Sequence, residues 1–78
     1  MADEQIASLN QIVAIIDEKA AKYKDEVFDM PEVRARAEKK LILDLIVDGL
    51  DLAETVSPRP LDLIDDLRRL QSQLQNMA

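Results

Sequence analysis

Three aspartates are the side chains of this chain best spaced for chemistry. Asp44, Asp48 and Asp51 recur at i, i+4 and i+7, which places them on one face of a helix. Carboxylates so arranged are hard oxygen ligands for Mg²⁺ or Ca²⁺ and would serve a small metal-dependent hydrolase. Such a site needs further ligands from a second helix, and no ExxE or ExxH segment supplies them. Lys40 and Thr55 fall on the same stripe, so a solvated face or a line of cross-subunit ion pairs accounts for it more simply. No metal and no cofactor is expected, and Asp44, Asp48 and Asp51 are the only metal candidates.

Other chemistries are limited by residues that are missing. There is no cysteine and no histidine, which excludes disulfides and any Cys/His zinc site. Ser8, Ser57 and Ser72 have no evident base to activate them. Two aromatic side chains, Tyr23 and Phe28, do not make a platform for stacking bases. Arg36, Lys39 and Lys40 form a small basic patch suited to a phosphate, RNA or acidic partner. The net charge of −6 favours a solvated or intersubunit face instead, and it argues against affinity for nucleic acid or an anionic membrane. An acidic surface can also mimic nucleic acid and occupy the basic groove of another protein, which is the alternative functional reading.

The spacings Glu26-x-x-Asp29 and Asp48-x-x-Asp51 resemble those of the all-α nucleotide pyrophosphatases, which hydrolyse nucleoside triphosphates with Mg²⁺. That resemblance implies an all-α hydrolase. The family's paired acidic motifs on facing helices are not reproduced, so no residue role is carried over.

The elements that would position these residues are helical. One glycine and three prolines in 78 residues leave little punctuation, which favours a few long helices. Ile6, Leu9, Val13, Ile16, Ala20, Tyr23 and Val27 recur at spacings of 3 and 4, a heptad seam, and Ile12 and Ile15 widen it. The pattern predicts a first helix over about residues 3–28, capped by Asp3, with Glu18 and Lys22 as a supporting i,i+4 pair. Pro31 ends it by disfavouring helical geometry at Met30. Asp29 and Glu32 are spaced as a capping box for a second helix over about 31–55. Pro58 and Pro60 make a stiff connection. A third helix, over about 60–76, carries the seam Leu63, Leu67, Leu70, Leu74 and Met77, widened by Ile64, with Asp65 and Arg69 paired. The uncharged, Gln-rich tail from Gln71 to Ala78 is expected to fray.

The centre of the chain is Leu41–Ala53, LILDLIVDGLDLA. On a helical wheel its apolar residues go round most of the circumference, interrupted only by the aspartate stripe. A helix apolar nearly all round is buried, and two neighbours from so short a chain are not expected to cover it. Gly49 and Ala53 form a small-sided face that suits a close helix crossing. The second helix is basic first (Arg34, Arg36, Lys39, Lys40) and acidic later (Asp44, Asp48, Asp51, Glu54), against the preference of the helix dipole. Antiparallel pairing of two copies would relieve that conflict.

The expectation is therefore an all-α three-helix bundle, a hairpin plus a packing helix, in a single domain spanning 1–78 and completed by homodimerisation. Its interface is expected at Leu41, Ile42, Leu45, Ile46, Gly49, Leu50 and Ala53. The function expected is that of a non-enzymatic interaction module, a small adaptor, scaffold or regulatory protein, with a second protein partner as a further possibility and with Met30 at the turn as either a partner anchor or a cap-packing residue. No secretory leader, membrane span or lipidation motif is evident in the sequence, and a cytoplasmic location is expected.

Overall fold

The 3/4 spacing of the first 26 residues becomes one long helix in the computed structural model, which describes residues 2–77, the side chains of Ala2, Asp3 and Gln5 aside. This helix, α1 (Ala2–Glu26), is followed by a 3-10 turn over Val27–Asp29. The capping role expected of Asp3 falls on a side chain outside those described. Met30 is extended (φ −87°, ψ 142°), as a residue before proline must be, and its N–H donates to the Val27 carbonyl at 3.2 Å. The second helix, α2 (Glu32–Ala53), starts one residue after Pro31. The expected capping box does not form, because no side chain caps this terminus. Asp29 is taken up in the 3-10 turn, and Glu32 accepts instead from Arg36 at 2.6 Å.

A seven-residue connection joins α2 to α3 (Leu61–Asn76). It is more than a stiff spacer. The N–H of Val56 donates to the Ala53 carbonyl at 3.3 Å, and the Val56 side chain is buried beside Leu9, Ala53 and Ile64. The Ser57–Pro58 peptide bond is cis.

The three helices run up, down and up. Gly49 of α2 faces Ile12 and Ile16 of α1 and Leu67 of α3. At the turn end, Met77 after α3 meets Lys39 of α2, and Lys24 of α1 donates to Gln73 of α3 at 3.2 Å. The fold is all-α, with no strand among the described residues, and measures 42 × 19 × 16 Å.

The core follows the predicted seams with two differences. Ile16, Ala20, Tyr23, Ile42, Ile46, Leu67 and Leu74 form the larger cluster. Ile6, the first seam position of α1, is exposed. It lies three residues, just under one helical turn, before Leu9, whose cluster partners are Ala53 at the end of α2, Val56 and Ile64. At the other end α3 stays helical through Asn76, against the expected fraying, because Leu74 is wholly buried. The Lys39 ammonium also donates to the Met77 carbonyl at 2.6 Å, a cation at a helix C-terminus where the dipole favours it. Among the described residues no buried side-chain nitrogen or oxygen lacks a partner. No described helix is long and apolar enough to cross a membrane.

Candidate functional site

Helix α2 decides where a site can be, because it touches both other helices and still has two sides open. Ile42, Ile46, Gly49 and Ala53 are its buried residues. Their 4, 3, 4 spacing is a heptad seam in its own right. These four were expected at an intersubunit surface; they are instead the chain's own core. The physical reason lies at Gly49. A Cβ there would stand 3.4 Å from Ile12 Cγ2, 3.4 Å from Leu67 Cδ1 and 3.5 Å from Ile16 Cδ1. Side chains from α1 and α3 therefore close over the small face from both sides, and one chain covers more of α2 than its length suggests. Leu41, Leu45 and Leu50, the rest of the expected interface, are exposed or half-buried.

The uncovered part of α2 begins one residue from the seam. Ile42 is fully buried, while Leu41 is 44% exposed, and Val47 is equally exposed on the far side. On a helical wheel Leu41 falls on the side of α2 that carries Arg34 and Glu38. Nearer the turn, the same side forms a groove of about 150 Å³ lined by Lys19, Lys22, Tyr23 and Glu26 of α1, with Met30, Arg34 and Glu38. No residue of α3 lines it. Tyr23 is buried, as its seam position predicts, and is one of the lining residues.

The Asp44, Asp48 and Asp51 stripe is fully solvent-facing. Among the described residues no group of three or more His, Cys, Asp or Glu side chains is placed to hold a metal ion, and none of the three aspartates forms an ion pair. The basic patch is likewise dispersed. Arg36 is engaged by Glu32 while remaining exposed, Lys39 is turned to the Met77 carbonyl, and Lys40 is exposed.

A second apolar surface, absent from the sequence reading, lies at the hairpin turn. Phe28 is 92% exposed and Val33 83% exposed. Val27, Phe28, Met30, Ala35 and Met77, with Glu32, line an open groove of about 440 Å³ there. Met30 is among the lining residues, half-buried and packed against the larger cluster. The only signal in the sequence was an aromatic residue inside a helix break, a position where periodicity no longer says which way a side chain points.

The fold and these surfaces define a small all-α three-helix bundle with apolar patches outside a completed core. Compared with protein-family models, with curated proteins and with solved structures, the chain gives no match.

Proposed function

We propose that this protein is a non-enzymatic protein–protein interaction module, a small adaptor, scaffold or regulatory protein, and that it associates with a second copy of itself through the outward side of α2. One observation carries the reading. Beside the buried Ile42, Leu41 stays 44% exposed on a helix whose core seam is already complete. Leu41 is flanked on the same helix by Arg34, Lys40, Asp44 and Asp48, and an apolar centre with a charged rim is the usual anatomy of an interface.

The order of charge on α2 supports self-association. Arg34, Arg36, Lys39 and Lys40 precede Asp44, Asp48, Asp51 and Glu54. In an antiparallel pair each basic half lies against an acidic half, which relieves the unfavourable dipole order within each helix.

Sedimentation equilibrium over a wide concentration range tests this. The expected result is a reversible rise from the 8.8 kDa of one chain to twice that mass. The double variant Asp44→Lys, Asp48→Lys is expected to weaken the association at low salt. A well-folded chain that stays monomeric throughout would overturn self-association, and undiminished dimerisation of the double variant would overturn the charge argument.

A further inference from the structure

We propose that the second copy lies across the groove between α1 and α2, with the two-fold axis passing beside Leu41. The inference rests on the self-association just described and specifies its geometry and register.

Arg34, Ala37, Leu41, Leu45 and Asp48 share one stripe of α2. Their spacings are 3, 4, 4 and 3, the same read from either end, with Leu41 at the middle. A two-fold axis at Leu41 maps such a stripe onto itself in antiparallel order. Each residue then meets a chemical complement. Leu41 meets the partner's Leu41. The small Ala37 meets the larger Leu45 of the partner. Arg34 meets the partner's Asp48, and Lys40 comes within about 3 Å, along the helix axis, of the level of the partner's Asp44. An isologous interface requires this self-complementarity.

Three features of the structure fit that arrangement. The stripe is open, because Arg34, Ala37, Leu41 and Asp48 are exposed and Leu45 is half-buried. Its middle is apolar and uncovered, since Leu41 is exposed and Ile15, one turn before the groove residue Lys19, is 37% exposed on α1. The charges at its ends are unused within the chain. Lys19, Lys22 and Arg34 form no ion pair among the described residues, and neither do Asp44 and Asp48. Glu26 and Glu38 share the groove with the three cations, so three positive and two negative groups leave that end one charge positive. An apolar centre with charges at the rim is the usual anatomy of an interface.

The chain has no cysteine, so single thiols report the geometry cleanly. In the 78-residue chain carrying Leu41→Cys, under mild oxidation, two thiols flanking the axis are expected to link at least about tenfold faster than those of Val47→Cys, which lies off the stripe. Both variants are on exposed positions, and circular dichroism checks that each remains helical. In parallel, Arg34→Asp and Asp48→Arg are each expected to weaken dimerisation about tenfold by placing like charges opposite one another. Combined in one chain, they restore the pair with its sign reversed and recover the affinity. A wild-type chain that is monomeric overturns the self-association reading and this inference with it, and leaves the edge to a different protein. A wild-type dimer in which Leu41→Cys does not link, or in which the double swap fails to recover, overturns the inference alone.

Discussion

Leu41 and Ile42 are neighbours in sequence, of the same size and chemistry, and the fold treats them oppositely. Ile42 belongs to the stripe Ile42, Ile46, Gly49 and Ala53 that α1 and α3 close over. Leu41 belongs to the stripe Arg34, Ala37, Leu41, Leu45 and Asp48, which is exposed apart from the half-buried Leu45. A rotation of about 100° around one helix separates a stripe that makes the fold from one available for association. The lesson is that apolar content does not assign a role. What assigns it is whether other helices of the same chain cover the side chain, and they leave Leu41 44% exposed.

The largest effect that sharpens this comparison comes from shortening one residue on each stripe. Ile46→Ala removes a fully buried side chain from the centre of the larger cluster and is expected to destabilise the fold by about 2–5 kcal/mol. In a domain this small that is a large part of the total stability. Leu41→Ala is expected to lower the thermal midpoint far less at concentrations where the chain is monomeric, and to weaken association instead. Thermal melts at low and high concentration separate the two. Equal losses at low concentration would mean that Leu41 is as much part of the core as Ile46.

Gly49 gives a smaller effect of opposite sign. It sits mid-helix, where glycine costs roughly 1 kcal/mol relative to alanine. An added methyl group would meet Ile12, Leu67 and Ile16 at 3.4–3.5 Å, which is ordinary contact rather than a clash. Gly49→Ala is therefore expected to raise stability by up to about 1 kcal/mol, read from urea unfolding. Gly49→Leu is expected to lower it, because larger groups must push both neighbouring helices away. If alanine destabilises as much as leucine, the seam is packed more tightly than these distances indicate.

How much of this was legible beforehand follows from what periodicity reports. The 3/4 spacings placed Leu9, Ile16, Ala20, Tyr23, Leu67 and Leu74 in the core, and Pro31 and Pro60 marked the breaks to within a residue or two. Spacing says which residues share a side, but not what lies opposite that side. Ile6 therefore shares the seam and is exposed, and the seven residues expected at an interface divided into four in the core and three at or near the surface. Val56 was missed because a lone apolar residue between two turns has no period to join. The Lys39 bond to the Met77 carbonyl was missed because a backbone acceptor 38 residues away leaves no local trace. Phe28, in the 3-10 turn, lies where the helical wheel does not apply. The Asp44, Asp48 and Asp51 stripe was legible as a stripe, since it depends only on α2 being a helix.

The smallest effect expected is at the start of α2, where Arg36 donates to Glu32 at 2.6 Å with both side chains almost four-fifths exposed. Short as it is, this pair is hydrated, and exposed i,i+4 pairs contribute about 0.3–0.5 kcal/mol. Glu32 also places a negative charge in the first turn, where the dipole welcomes one. Glu32→Gln removes both contributions and is expected to lower stability by no more than about 1 kcal/mol, with the loss shrinking as salt is added. Glu32 is off the Leu41 stripe, so dimerisation should not change, and the variant serves as the neutral control for the charge swaps at Arg34 and Asp48. A matching loss of affinity in Glu32→Gln would show that association responds to charge anywhere on α2. The contrast between the two stripes would then be one of burial alone, without the residue-by-residue complementarity that a two-fold axis at Leu41 demands.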